Sequence, residues 1–421
     1  RSFRAGQLPI LSRAMSCQST VGLLPTGGGK SLTYQLAALM QPGVTIVVDP
    51  LISLMADQYR GLRDIRIDAC AFISSRQNIA EKNDILRRFA SGELLFLFIS
   101  PERFMMENFR MALLTMSDQN GINFSYGVID EVHCVSEWGH DFRPSYLHLG
   151  RNMVNFMRTV SGNPVPLIGL TATASFDVLA DVERELTLGG RVALDSNAIV
   201  RPENDDRPEL TYRVVEVKAD VDTGCDHVFR GGEYDLKKCL AVGKIDKINK
   251  LLRQAPDDIA LQNVRNEESD DARDCGIKDF SKEHFYSQDG QGCYPNAGII
   301  FCPHAKGLFG VNDAESKKPG GDPTPGLVSR LREEESAGTF DIGSFVGGDD
   351  PSGDMTSFNR NHQNIMVATK AFGMGIDKPN VRFTVNLSHP GSIESFVQEA
   401  GRAGRDRKTA IAYLLYDRTD Y

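Results

Sequence analysis

The chain has 421 residues, a formal net charge of −9, 41% hydrophobic residues and 24% charged residues. This size and composition predict a soluble protein of two or three domains. The sequence contains no run of 18 or more apolar residues, so no membrane span is predicted. The negative charge excludes a protein that coats nucleic acid by bulk charge, but it is compatible with a local basic track in one cleft.

The first half alternates short apolar segments with helical ones. The predicted strands are Val21–Leu24, Thr45–Val48, Ala69–Ile73, Leu94–Ile99, Tyr126–Ile129 and Leu167–Leu170. The predicted helices include Leu32–Met40, Ile79–Phe89 and Phe176–Leu186. Such alternation is typical of a parallel sheet with helices on both faces. The pattern fades across a polar stretch with two prolines, Asn197–Pro208, and predicts a domain boundary near residue 200.

The second half repeats the alternation more loosely. Its predicted strands are Leu210–Val217, Ala297–Cys302, Ile342–Val346, Asn364–Ala368, Val381–Leu387 and Thr409–Leu415, with a helix over Ile245–Arg253. Two polar stretches, Ala255–Asn296 and Asn312–Pro325, are interpreted as surface insertions or mobile loops. The fold class predicted is α/β, with domains over residues 1–200 and 201–421.

A glycine-rich segment, LLPTGGGKS over residues 23–31, lies between the first strand and its helix. Consecutive glycines let backbone N–H groups approach phosphates, and the helix N-terminus favours negative charge. Lys30 is predicted to reach the β- and γ-phosphates, and the Ser31 hydroxyl to hold Mg²⁺. The alternative is a flexible turn before a helix. The nucleotide-binding residues predicted in this segment are Thr26, Gly27, Gly28, Gly29, Lys30 and Ser31.

Adjacent carboxylates, Asp130 and Glu131, follow an apolar strand. Ligands of open α/β sheets bind at the carboxyl ends of strands. Asp130 is therefore predicted to meet the Mg²⁺ beside Ser31, through water, and Glu131 to act as general base toward an attacking water. A solvated strand end is the alternative.

Two arginines three residues apart, Arg402 and Arg405, lie in a glycine-containing segment near the end of the chain. Their planar donors suit a phosphate, and an arginine supplied by a second domain can stabilise transition-state charge. A surface helix end with charges at i and i+3 explains the pattern equally well.

An aromatic-rich segment, SEWGHDFRPSY over residues 136–146, contains the only tryptophan. Aromatic faces stack on unpaired bases and arginine neutralises phosphate, so we predict a nucleic-acid sensor here, against the alternative of a packed aromatic cluster. Gln7 has an amide that matches the N6/N7 edge of adenine, which is weak evidence from a single residue.

The eight cysteines contain no C-x-x-C pair, which favours a reducing, intracellular setting. Six Cys and His residues of the second half raise a zinc site as a hypothesis, but their spacing fits no common zinc pattern. These residues are Cys225, His227, Cys239, Cys275, His284 and Cys293.

Together these segments resemble the helicase core of RecQ-type DNA helicases of superfamily 2, from Phe3 to about Tyr416. The resemblance rests on FRAGQ (3–7), LPTGGGKS (24–31), VDPLISLMADQ (48–58), SPER (100–103), DEVH (130–133), SEWGHDFRPSY (136–146), GLTATA (169–174), ATKAFGMGIDKP (368–379) and QEAGRAGRD (398–406). It implies two RecA-like lobes, with ATP and Mg²⁺ between them and single-stranded DNA across both. Tailed duplex DNA is the implied substrate, and translocation runs 3′→5′.

The resemblance also implies residue roles. Gln7 and Asp377 contact nucleotide, Arg405 is the arginine finger with Arg402 as its companion, and Gln398 partners His133. The implied DNA contacts are Ser53, Arg103, Trp138, His140, Phe142, Arg143, Thr171, Thr369 and Lys370. The setting implied is intracellular, in the cytoplasm or nucleoid of a bacterium or the nucleus of a eukaryote, in repair, recombination or defence.

Two departures from the family are visible. The connection over residues 219–296 is longer than the usual one of the family, so we predict an insertion there, whose purpose the sequence leaves open and through which a protein partner could bind, and a flexible loop at about 312–325. Asp49 stands where the family has a small polar residue, and a carboxylate disfavours a DNA backbone. Two alternatives stay open: a DEAH-like RNA helicase, and an ATP-gated DNA clamp or scaffold with little unwinding of its own.

Overall fold

The computed structural model describes most of the chain, which divides into two compact units, residues 1–205 and 206–421. The described residues are 3–25, 27–136, 143–172, 174–187, 195, 197–202, 206–218, 233–269, 272–316, 323–334, 339–347, 353–373 and 378–417. The division lies five residues beyond the boundary predicted from the polar, proline-containing stretch.

Unit 1 is built on a seven-stranded sheet in which all neighbouring strands are parallel. Its strands are β1 (Thr20–Leu23), β2 (Val44–Val48), β3 (Cys70–Ile73), β4 (Phe96–Ile99), β5 (Phe124–Ile129), β6 (Leu167–Thr171) and β7 (Ile199–Val200). Their order across the sheet is β3-β4-β2-β5-β6-β1-β7. The inner strands are continuous apolar runs because both faces of a parallel sheet are covered.

The helices of unit 1 cover the sheet. They are α1 (Gln7–Met15), α2 (Lys30–Met40), α3 (Ile52–Asp64), α4 (Ile79–Ala90), α5 (Glu102–Met105), α6 (Glu107–Asn120), α7 (Leu149–Phe156) and α8 (Phe176–Leu186). Two separate apolar clusters result, one containing Phe104, Leu113 and Val182, the other Ile10, Tyr34 and Leu62. The predicted α/β class with helices on both faces is confirmed in this unit.

Unit 2 contains a six-stranded parallel sheet of order β12-β13-β9-β14-β15-β8. Its strands are β8 (Leu210–Glu216), β9 (Ala297–Cys302), β12 (Ile342–Phe345), β13 (Ile365–Thr369), β14 (Val381–Asn386) and β15 (Ala410–Tyr416). A separate parallel pair consists of β10 (His304–Lys306) and β11 (Gly310–Asn312). The helices are α9 (Glu233–Glu268), α10 (Leu327–Glu334), α11 (Asp354–Asn359) and α12 (Ile393–Ala400).

The interpretation of Ala255–Asn296 as a surface insertion or mobile loop is wrong for its described residues. Helix α9 continues through Pro256 as far as Glu268, and Ile259 in this part is fully buried. Farther on, Phe285 is fully buried in the unit 2 core, with its ring 6.4 Å from that of Phe383 in β14. Ala255–Asn296 contains few apolar residues, so its average composition is polar although the segment packs against the sheet.

Asn263 of α9 ties the segment after the helix to the helix itself. Its amide accepts a hydrogen bond from the Ile277 backbone and donates one to the Ile277 carbonyl. In the predicted flexible loop, residues 317–322 lie outside the described part, and Ala314 and Thr324 on either side form an antiparallel bridge. Among the described helices, none combines the length and apolarity needed to cross a bilayer.

Candidate nucleotide-binding site

The predicted catalytic residues of unit 1 converge at one edge of its sheet. Strands β2, β5, β6 and β1 are successive neighbours, and all are parallel. The segments that follow them therefore leave the same edge. This edge carries the glycine-rich loop after β1, Asp49 after β2, Asp130 after β5 and Thr171 at the end of β6.

The loop between β1 and α2 has the backbone of an anion cradle. Gly27 and Gly29 have φ angles of 75° and 76°, which side chains disfavour. A Cβ at Gly28 would lie 2.8 Å from the Pro25 carbonyl oxygen, so this position also requires glycine. Helix α2 begins at Lys30 without a side-chain cap from any described residue. Its first N–H groups can therefore bind phosphate oxygens.

Gln7 anchors the backbone of this loop through hydrogen bonds. Its Nε2 donates to the carbonyls of Gly28, at 3.0 Å, and Gly29, at 3.1 Å. Its Oε1 accepts from the Arg4 backbone N–H at 2.8 Å, and the Arg4 guanidinium donates to the Gly27 carbonyl. Gln7 is almost fully buried. The structure thus gives the amide a bracing role, in addition to the adenine contact predicted for it.

Lys30 and Glu131 face each other, with 3.4 Å between Nζ and Oε1. The Glu131 backbone lies in the left-handed region at φ 48° and ψ 47°. A non-glycine residue there costs on the order of 1 kcal/mol, and such strain is common at functional sites. The turn directs the Glu131 side chain to the glycine-rich loop while Asp130 stays buried at the strand end.

Two buried carboxyl groups accompany this pair. Burial and the neighbouring Glu131 raise the pKa of Asp130 to about 6, although Lys30 opposes the shift. Burial, with Asp130 next in importance, raises the pKa of Asp49 well above its ordinary value. Asp49 Oδ1 accepts from the Leu51 backbone at 3.2 Å, whereas its buried Oδ2 has no hydrogen-bond partner among the described residues.

The donors at this edge suit a magnesium ion. Ser31 Oγ accepts a hydrogen bond from Gln58 Nε2 at 2.5 Å, and Gln58 Oε1 accepts from Gln35, so the hydroxyl is held at the start of α2. With the carboxylates of Asp130 and Asp49 the available donors are all oxygen, which Mg²⁺ prefers. A cation bound here would satisfy Asp49 Oδ2, the buried oxygen that has no hydrogen-bond partner among the described residues. Among the described residues no three His, Cys, Asp or Glu side chains are arranged to hold a metal by themselves.

His133 connects the carboxylate pair to β6. Its Nδ1 lies 2.9 Å from Thr171 Oγ1 and 3.3 Å from Glu131 Oε2. Thr171 is fully buried, so the structure argues against the DNA contact predicted for its side chain. The hydroxyl instead joins the segment after β5 to β6. The predicted partnership of His133 with Gln398 stays a prediction.

Comparison with known proteins supplies the family. The sequence profile of DEAD/DEAH box helicases matches residues 4–182, and that of the helicase conserved C-terminal domain matches residues 349–407. The chain is 32% identical to the ATP-dependent DNA helicase Q-like 4B of Arabidopsis thaliana, an alignment covering 100% of this chain and 29% of that protein. It is 29% identical to the ATP-dependent DNA helicase RecQ of Haemophilus influenzae, covering 100% of this chain and 52% of that protein. The chain belongs to the RecQ-type family of superfamily 2 helicases.

The fold of this RecQ-type chain is also found in solved helicase structures. A structure of the DUF1998 helicase MrfA bound to DNA and AMPPNP matches with a TM-score of 0.62 and 16% identity, covering 98% of this chain and 48% of that chain. The two units are thus confirmed as the parallel α/β lobes of a RecA-like helicase core. The chain spans about half or less of the length of the two RecQ-type relatives named above.

Several predicted DNA contacts of the RecQ-type chain lie in the described part of unit 1. Ser53 is in the first turn of α3, and Arg103 is in α5 after β4. Arg143 donates to the Pro50 carbonyl at 2.8 Å and so holds the segment that leads from β2 into α3. Four predicted residues of unit 1 lie outside the described residues: Thr26, Trp138, His140 and Phe142.

In unit 2, Thr369 and Lys370 leave the carboxyl end of β13, and Lys370 is exposed. Gln398 lies in α12, and Arg402 and Arg405 follow that helix. Asp377 lies outside the described residues. Sequence reasoning missed two residues. Gln58, which donates to Ser31 Oγ, has no sequence signal of its own. Arg207, in the polar boundary stretch, donates to backbone carbonyls of the segment that carries Arg402 and Arg405.

Proposed function

We propose that this chain is an ATP-dependent DNA translocase and helicase. The observation that carries the proposal is the approach of Lys30 to Glu131, 3.4 Å apart, beside buried Asp130 at the mouth of the glycine-rich loop. A cation from the loop after β1 and a carboxylate after β5 of the same sheet are the groups that nucleotide hydrolysis requires.

The roles follow from the chemistry of each group. The N–H groups at the start of α2 bind phosphate oxygens, and Lys30 neutralises charge on the β- and γ-phosphates. Mg²⁺, held by Ser31 and through water by Asp130, would draw charge from the phosphates. Glu131 orients the attacking water and accepts its proton. Its contact with Lys30 breaks when the ammonium turns to phosphate, and the carboxylate can then act as base.

Unit 2 contributes the remaining groups in this proposal. Arg405 stabilises the negative charge that develops on the transferred phosphoryl group, with Arg402 as its companion. Gln398 and Asp377 contact the hydrolytic site, and Thr369 and Lys370 contact DNA. In this proposal hydrolysis requires the finger as well as the groups of unit 1, and DNA binding can control it.

The proposed substrate is DNA. The relatives named above are described as ATP-dependent DNA helicases, which favours DNA over RNA. We propose 3′→5′ movement on single-stranded DNA, inside the cell, in repair, recombination or defence. The described part of residues 219–296 packs into the unit 2 core, so it lends no support to a recruiting arm for a partner.

Strand separation on a tailed duplex tests the proposal. A 3′-tailed duplex, a 5′-tailed duplex and a 3′-tailed RNA duplex are incubated with ATP and Mg²⁺, with Lys30→Ala as the inactive control. We expect separation of the 3′-tailed DNA alone, and none with the variant.

The other outcomes are equally informative. Equal separation of the 3′-tailed and 5′-tailed DNA duplexes would contradict the proposed polarity. Equal stimulation of ATP hydrolysis by RNA and DNA would favour the alternative function, an RNA helicase. DNA-stimulated ATP hydrolysis without separation would replace the helicase by a translocase or clamp.

A further inference from the structure

The connection between α12 and β15, residues 401–409, carries both predicted catalytic arginines and is called the arginine loop here. Arg207, which lies just before β8, fastens its first turn. Its Nη1 donates to the Gly401 carbonyl at 2.8 Å, and its Nη2 donates to the carbonyls of Ala403 at 2.7 Å and Gly404 at 2.9 Å. One guanidinium thus binds three carbonyls within four residues, which fixes the direction of each peptide unit.

Arg207 is itself held by Glu209. Its Nε donates to Glu209 Oε1 at 2.6 Å, and the Glu209 side chain is fully buried. Arg407, from the arginine loop, approaches the same carboxylate at 3.4 Å. A buried carboxylate is stable only when it is paired, so Glu209 locks Arg207 in place. With Nε and both terminal nitrogens donating to protein, Arg207 is committed to this clamp and is not a finger.

The loop has the backbone that such a clamp requires. Gly404 has φ 66°, and a Cβ there would lie 2.9 Å from the Lys408 carbonyl. Its N–H donates to the carbonyl of Val381, the first residue of β14. Arg402 and Arg405 lie on either side of the two carbonyls that Arg207 Nη2 binds, so rotation of those peptides would redirect both side chains.

We propose that Arg207, oriented by Glu209, is a positioning residue for the arginine finger Arg405. This inference rests on the function proposed above, in which Arg405 stabilises transition-state charge. The clamp holds the finger's backbone before nucleotide binds, so less ordering remains for the transition state. Loss of the clamp should therefore lower kcat and leave ground-state nucleotide binding unchanged.

A second arginine also binds the arginine loop. Arg382 of β14 pairs with Asp406 and donates to the Thr409 carbonyl at 3.3 Å, beyond the finger. Farther away, Arg213 of β8 pairs with Asp258 of α9 at 2.5 Å and does not touch the loop. Arg213→Ala is therefore a matched control that removes an arginine ion pair of the same unit.

The test is a double-mutant cycle on DNA-stimulated ATP hydrolysis with Arg207→Lys, Arg405→Ala and the two combined. Lysine keeps the charge that Glu209 requires, so the fold is preserved, but it lacks the fork that binds three carbonyls. We expect Arg405→Ala to lower kcat on the order of 10³-fold. Arg207→Lys should lower kcat by about 10- to 100-fold at unchanged KM for ATP, and the double variant should be no slower than Arg405→Ala. Arg213→Ala should keep its kcat.

Each contrary result has a distinct meaning. If Arg405→Ala slows hydrolysis but the effect of Arg207→Lys multiplies with it, the positioning role is overturned and the finger stands. If Arg207→Lys raises KM, or lowers Tm with no change in kcat, the clamp is structural. If Arg405→Ala keeps the kcat of the unmutated protein, the finger assignment fails and the positioning role fails with it.

Discussion

Asp49 and Asp130 stand side by side at the carboxyl ends of β2 and β5, one residue beyond the paired Val48 and Ile129. Neighbouring strands are about 4.8 Å apart, so the two carboxyl groups lie close together, and both are buried. Both have raised pKa values, for which burial is the first cause; repulsion from Asp130 adds to the shift of Asp49, and repulsion from Glu131 adds to the shift of Asp130. This arrangement costs stability unless a cation compensates it.

We expect Asp49→Asn to stabilise the protein without metal or nucleotide. The amide removes one buried charge and can donate to Asp130, so the free energy of unfolding at pH 7.5 should rise by roughly 1–3 kcal/mol. Urea denaturation in the presence of a chelator measures it, with exposed Asp64→Asn as the control. A less stable Asp49→Asn protein would show that the carboxylate has an attractive role in the apo state.

The pH dependence of stability should carry the signature of Asp130. Its pKa is about 6 when folded, against 3.8 for the ordinary group, so the folded state keeps a proton that the unfolded state has lost. This stabilisation is fully present below pH 4 and is lost as pH rises through about 6, a total of about 3 kcal/mol. Urea midpoints of the unmutated protein and Asp130→Asn, compared from pH 4 to 7, measure the difference. Parallel curves for the two proteins would contradict the shift.

Glu131→Gln should bind ATP but hydrolyse it at least about 100-fold more slowly, because an amide cannot accept the proton of the attacking water. Steady-state ATPase assays and binding of a fluorescent ATP analogue separate the two effects. Glu107→Gln, at an exposed position in α6, is the control for loss of a carboxylate. Turnover near that of the unmutated protein would remove Glu131 from the catalytic role.

The local features of this site were readable from the sequence, since they depend on neighbours along the chain. An apolar run ending in Asp130 and Glu131 marks a buried strand end, and glycines before Lys30 mark an anion loop. The Asp49–Asp130 pair depends on which strands are neighbours, and the composition of each strand leaves that open. The burial of Phe285 was missed for a different reason, since one aromatic residue in a polar segment contributes little to its average.

Gln7 provides the last prediction, because the structure and the sequence assign its amide different partners. Both carbonyl contacts of Nε2, to Gly28 and Gly29, belong to the loop, and Oε1 receives the Arg4 N–H. Adenine recognition would need a donor toward N7, so at least one loop contact would have to be released. We therefore expect the bracing role to dominate in Gln7→Ala.

Without the hydrogen bonds of Gln7 the loop becomes more mobile. Ordering the loop then takes the same free energy from the binding of every nucleotide. We expect the Kd for ATP and the Kd for GTP to rise by the same factor, on the order of tenfold, in Gln7→Ala. Competition of ATP and GTP for one fluorescent nucleotide, in the variant and the unmutated protein, measures both losses. Gln18→Ala, at an exposed position between α1 and β1, is the control for loss of a glutamine. A loss confined to ATP would instead show that the amide leaves the loop and reads adenine in the bound state, since only then does the identity of the base determine the energy lost.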